Sequence, residues 1–181
     1  MRGVEQDKTK ETYARELAVG AVLTAVALAL SYVERLIPFQ LLIPLPGVKL
    51  GLANIASMLA LYYLSTRTAF TVTVLRCLIG AIFGGGITGL LMSMTGGLLS
   101  VLVMALAKKN RGFSIYGVSI LGAAAHNIGQ VCAAALLMGT WNIFIYLGFL
   151  LLVAVVSGIC TGAVSAFTLR ALSSAGKGSA V

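Results

Sequence analysis

The sequence predicts an all-α membrane protein, a bundle of six transmembrane helices, and three observations predict it. Hydrophobic residues make up 59% of the 181 positions and charged residues 10%, with a mean hydropathy of +1.01. A soluble domain of this length needs more polar surface than that. The apolar residues fall in long runs, and at roughly 20 residues per spanning helix the chain has room for about six. From Arg35 to Val181 there is no Asp and no Glu. The reading is one membrane domain at 14–172, a polar cytoplasmic tail at 1–13, and a small-residue, disordered cytoplasmic tail at 173–181.

The first span is expected at about 14–32. Basic residues precede it, as in a signal peptide, but more spans follow, so an uncleaved signal anchor is expected. ERLIPFQLLIPLPGVKLG comes next, with Pro38, Pro44 and Pro46. Three prolines in an apolar setting exclude a straight spanning helix. The segment reads as a hydrophobic loop lying on or dipping into the protein, where non-helical backbone survives only if packed or lining a cavity.

The second span, about 50–64, is short. A turn at 65–68 leads to the third span, about 69–83, which Gly84, Gly85 and Gly86 break. The fourth, about 87–107, ends at KKNRG; the fifth covers about 114–138, followed by a turn with Trp141 at an interface. The sixth, about 143–172, is long enough to hold a break near Ser157–Gly158.

Six spans put both termini on one side, and Lys/Arg counting selects the side. With the termini inside, Arg2, Lys8, Lys10, Arg15, Arg67, Lys108, Lys109, Arg111, Arg170 and Lys177 are cytoplasmic, against Arg35 and Lys49 outside. The expectation is a multi-pass cell-membrane protein with cytoplasmic termini and the proline-rich loop outside. The net charge of +8 then reports topology. The basic residues are spread over loops and the aromatics lie in apolar runs, which argues against nucleic-acid binding. Cys77, Cys132 and Cys160 lie in apolar runs without a C-x-x-C and read as small buried hydrophobes.

Arg76, in AFTVTVLRCLIGAIF, carries the functional argument. An arginine at a helix centre costs about 2.5–3.5 kcal/mol on insertion scales, cannot lose its proton, and presents a fork suited to carboxylate or phosphate. Its structural alternative is to cap broken-helix carbonyls or to snorkel outward. In the expected topology Lys49, Asn54, His126, Asn127 and Gln130 fall at matching depths, and with Arg76 they could line one outward cavity under the proline-rich loop. Singly, the amides and His126 are as well explained by hydrogen bonds between helices, and Lys49 by interfacial anchoring. Glu34, at the outer end of the first span, reads as too shallow to reach Arg76.

Ala21, Ala25 and Ala29 form a small-residue row on the first span, and Ala14 with Ala18 a shorter one. Gly80/Gly84, Gly85/Gly89 and Gly158/Gly162 each fit G-x-x-x-G. The glycine pairs are expected to pack inside the monomer; the alanine row, on an end helix, is open to a partner subunit. The chain offers no P-loop, no Ser–His–Asp set and no carboxylate pair. No cofactor or metal is expected, and binding or transport is favoured over catalysis.

PGVKLGLANI (46–55), VLRCLIGAIFGG (74–85), TGGLLSVLVMAL (95–106) and GVSILGAAAHNIGQ (117–130) resemble the Gx transporter family, also labelled heptaprenyl diphosphate synthase component I. The resemblance implies a six-helix fold similar to the substrate-binding S components of energy-coupling factor transporters. Those bacterial subunits capture a solute from outside and rely on a separate transmembrane subunit with two ATPases. It implies partner docking through Ala21, Ala25 and Ala29; the solute site is expected at the residues read above from their depth, Lys49, Asn54, Arg76, His126, Asn127 and Gln130. The synthase label implies an alternative: a non-catalytic accessory subunit of isoprenoid or quinone synthesis. The aspartate-rich motifs of chain-making prenyl synthases are missing.

Overall fold

The structure, a computed structural model, describes residues 2–36 and 51–178. The expected proline-rich loop and Lys49 lie outside the described residues. Six α-helices are present among the described residues: α1 (Arg2–Leu36), α2 (Asn54–Tyr63), α3 (Thr66–Gly80), α4 (Gly86–Lys109), α5 (Ile115–Met138) and α6 (Leu147–Gly178). Five helical stretches are long and apolar enough to cross a membrane: Glu11–Leu36, Thr66–Gly84, Gly86–Lys109, Ile115–Met138 and Trp141–Ser174.

The exception is α2. Its 10 residues rise only about 15 Å, half of a hydrocarbon core of about 30 Å. It is a buried half-helix. Every residue from Asn54 to Leu61 is buried, and α2 packs against each of the other five helices. The expected second span at 50–64 is therefore shortened at its start. Gly51, at φ +82°, turns the chain, and Asn54 N–H and Ile55 N–H are held by the Gly51 and Leu52 carbonyls. A left-handed φ of this kind favours glycine.

Local chemistry accounts for the other boundaries. Ser65 caps α3 by accepting from Thr68 N–H, and Ser114 caps α5 by accepting from Gly117 N–H. Gly139, at φ +63°, ends α5. Between α3 and α4 the expected glycine break is a widened helical turn, Ala81–Gly85, in which Gly84 takes φ +100°; Gly86 follows at φ +58°.

Several expectations need correcting. α1 runs back through the polar residues to Arg2, and α6 runs to Gly178 rather than ending at Leu172. The hydroxyls of Ser173 and Ser174 fold back onto the Arg170 carbonyl and remain compatible with helix. The expected break at Ser157–Gly158 is not there. Gly158 instead permits close approach to α5: a Cβ there would lie 2.6 Å from Ile120 Cα. Cys77 is buried as expected, but Cys132 and Cys160 are exposed on the outer surface of the bundle.

The tightest crossing joins α4 to α5. A Cβ on Gly129 would stand 2.8 Å from Gly96 Cα and Thr95 O, and a Cβ on Gly96 would stand 2.8 Å from His126 O. Thr95 Oγ1 adds a hydrogen bond to the Gly129 carbonyl at 3.2 Å. Glycine lets the two backbones touch, and the polar residues of α5 come within reach of α2.

Candidate functional site

Arg76 lies ten residues into α3 from Thr66, about 15 Å along the axis, and is 5% exposed. Its Nη2 donates to Asn54 Oδ1 at 3.0 Å. Asn54 opens α2, so the N-terminus of the half-helix stops at mid-depth beside the guanidinium. That helix end carries a partial positive charge, and its preceding residue, Ala53, supplies no side-chain cap.

Around this pair the contacts close into a ring. Gly51 lies against Asn54 and His126: a Cβ there would be 2.8 Å from Asn54 Nδ2 and 3.4 Å from His126 Cδ2. His126 lies against Gly96, where a Cβ would be 3.1 Å from its Nδ1 and 2.9 Å from Gln130 Cγ. The next residue, Gly97, faces Thr73 and Arg76: a Cβ there would lie 3.2 Å from Arg76 Nη2. Gly96–Gly97 thus forms a floor with His126 and Gln130 on one side and Arg76 on the other.

The structure therefore brings together Asn54, Arg76, His126 and Gln130, all buried. Asn127 is buried too but turns toward α6, where its Nδ2 donates to Leu150 O at 2.7 Å. That is the interhelical role weighed for it above. Lys49 lies outside the described residues.

Glu34, read above as too shallow to reach Arg76, is 3% exposed, and its Oε1 accepts from Gly51 N–H at 2.5 Å, a partner that sequence reasoning did not indicate. The chain entering α2 folds back on α1 and offers the carboxylate a backbone donor next to a positive helix end. The K-L-G-L-A-N run held the signal, since a glycine three residues before Asn54 permits that return. Arg35, next to it, reaches the other way: Nη2 donates to Gly80 O at 2.8 Å and Nη1 to Phe83 O at 2.9 Å. It ties α1 to the carbonyls freed by the widened turn.

Two atoms of the ring have no hydrogen-bond partner among the described residues, Arg76 Nε and Asn54 Nδ2. Buried polar groups in folded proteins are nearly always satisfied, so orphans mark an open valence. On α1 the buried face is Gly20, Thr24, Ala27, Ser31 and Glu34, while Ala21, Ala25 and Ala29 are exposed on the opposite side.

Fold and site together define a helical membrane protein with a buried polar layer built on an intramembrane arginine. The family model described as heptaprenyl diphosphate synthase component I matches residues 23–168, and the chain belongs to that family. The match runs from α1 into α6 and takes in Asn54, Arg76, His126, Asn127 and Gln130. It agrees with the family label read from the motifs. Comparison with curated proteins and with solved structures gives no match.

Proposed function

We propose that this chain is the substrate-binding membrane subunit of an energy-coupling factor type importer, taking a small anionic or partly anionic solute from outside. The observation that carries the reading is Arg76: a permanent cation at mid-depth, at the N-terminus of a half-helix, with Nε unsatisfied among the described residues. Half-helix ends at the middle of a membrane bundle are a recurrent way to hold anionic groups. Both termini are cytoplasmic in this reading, with α2 as part of the second crossing. The exposed Ala21, Ala25 and Ala29 form the face that docks a transmembrane coupling subunit and its two ATPases.

The test is ATP-dependent uptake with the partner subunits, after native mass spectrometry of the purified protein has weighed the co-purifying solute. Arg76→Ala abolishes uptake while the protein still folds. Normal uptake by a folded Arg76→Ala protein removes the anion site from the proposal.

The family's own description favours a second reading, a non-catalytic membrane accessory to heptaprenyl diphosphate synthesis. The apolar bundle would hold the prenyl tail and the Arg76 layer its phosphates. This reading requires co-purification with a soluble prenyl synthase and a change in that enzyme's activity. The importer reading requires neither.

A further inference from the structure

A groove runs along the seam of α1 and α3, at the end of the bundle where α2 stops. Its volume is about 270 Å³, and its wall includes Leu17, Gly20, Thr24, Thr71, Val72 and Leu75. A more polar cavity of about 350 Å³ adjoins it beside the α2–α3 turn, with Arg15, Tyr63, Leu64 and Ser65 in its wall. Glu16 lines both. We propose that the two together seat one phospholipid with a primary-amine headgroup, a phosphatidylethanolamine. Its ammonium lies on Glu16, its phosphate on Arg15 and an acyl chain in the groove.

Charge selects the headgroup. Glu16 belongs to Glu11–Leu36, a stretch apolar enough to cross a membrane. Acids in such segments are rare and nearly always paired. Glu16 makes no ion pair among the described residues. Its Oε1 accepts from the hydroxyls of Ser65, at 2.9 Å, and Thr68, which fixes the carboxylate at the mouth of the groove. Its Oε2 makes no hydrogen bond among the described residues. Arg15 is turned the other way: Nη2 donates to Tyr63 Oη at 3.1 Å, and the remaining N–H groups stay available to a phosphate. An acid and an arginine side by side match a zwitterion. An anionic glycerol headgroup brings no cation to Glu16, and a choline headgroup brings no N–H to its open oxygen.

Depth suits the tail. From Glu16 to Thr24 α1 rises about 12 Å, close to the roughly 15 Å of hydrocarbon in one leaflet. Gly20 is buried in the groove wall, and its missing side chain lets Thr68 come in far enough to reach Glu16: a Cβ there would lie 3.3 Å from Thr68 Cγ2. Ala21 lines the groove as well, but Ala25 and Ala29 do not, so most of the alanine row stays clear of the lipid. The proposal stands whether or not the protein is an importer.

The test is native mass spectrometry of the purified full chain, titrated with phosphatidylethanolamine, phosphatidylcholine and phosphatidylglycerol of identical acyl chains. The ethanolamine lipid is expected to be retained about tenfold more tightly than the choline lipid, the worth of one charge-assisted hydrogen bond. Glu16→Gln is expected to erase that preference. Thr71→Trp, which fills the groove from an exposed position, is expected to lower retention of all three lipids alike. If Glu16→Gln does not fold, the headgroup series on the wild-type chain and Thr71→Trp still decide. Equal retention of the three lipids overturns the proposal, because the groove is then an ordinary lipid contact. A preference for phosphatidylglycerol overturns it too, since basic residues and not Glu16 would then choose the lipid. An ethanolamine preference that survives Glu16→Gln places the lipid elsewhere, and retention of none of the three leaves the groove to a protein partner; either result overturns the proposal.

Discussion

The two ends of α2 handle polar groups differently. At its C-terminal end, Arg15 donates to Tyr63 Oη at 3.1 Å, and Lys108 Nζ donates to Leu61 O at 2.7 Å while sitting 4.9 Å from the Tyr62 ring centroid. Glu16 takes the hydroxyls of Ser65 and Thr68. Lys108 meets a helix C-terminus, where a cation belongs. At the N-terminal end, Asn54 and Arg76 are more deeply buried yet keep orphan atoms among the described residues, beside a second buried charge, Glu34. Burial raises the cost of an unsatisfied group, so the deeper end is where folding alone would have demanded complete pairing. The C-terminal end is built as a joint; the N-terminal end, on the proposed reading, is a receptor.

The most severe way to break the comparison is to push the two halves of the ring apart. Gly129→Val places a side chain into the Gly96 Cα and the Thr95 carbonyl, both backbone, so α4 and α5 must separate. Overpacking of this kind typically costs about 1–3 kcal/mol, and a backbone clash belongs at the top of that range. Thermal melting in detergent should show a large loss of Tm, with bound solute lost as well. Unchanged melting would mean that the crossing is looser than described.

Arg76→Met separates receptor from scaffold. Replacing a buried, incompletely paired cation with an apolar side chain of similar length is often neutral or stabilising, so stability should stay within about 1 kcal/mol of wild type or rise. Solute retention, read by native mass spectrometry, should disappear. A strongly destabilised Arg76→Met protein would make Arg76 a structural residue.

Lys108→Met tests the joint. Loss of the bond to Leu61 O and of the Tyr62 contact should cost about 1 kcal/mol and leave solute retention alone. If retention falls in step with stability, the two ends of α2 are not functionally separate.

Most of the fold was legible because hydropathy, glycine and serine act locally. The α5 boundary followed from Ser114 and the α3 break from Gly84 to Gly86, each within one residue of its physical cause. The half-helix was only half legible. An apolar run reads alike whether it crosses lipid or ends inside protein, and what stops α2 is Gly51 folding back to Glu34, 17 positions earlier. Arg76 and Asn54 could be paired by depth alone. Asn127 could not be told from Asn54 that way, since its role depends on facing α6. The Gly96–Gly129 crossing escaped notice because its glycines do not repeat at a spacing of four along one helix.

The smallest effect on the isolated protein, and the sharpest test of its outer surface, is expected at Ala25. Its side chain is exposed on the face of α1 opposite Thr24 and Ala27, which are buried. In a membrane, an exposed apolar position accepts leucine without cost from water, so Ala25→Leu should leave melting and solute retention at wild-type values. Close approach of another helix is different, because small residues let backbones come together and leucine holds them apart. If α1 docks a coupling subunit through Ala21, Ala25 and Ala29, Ala25→Leu should abolish co-purification of that subunit and with it uptake. Leu152, exposed on α6 rather than α1, is the control: Leu152→Ala should leave assembly intact. Assembly that survives Ala25→Leu would move the docking face off α1 while leaving the Arg76 receptor untouched.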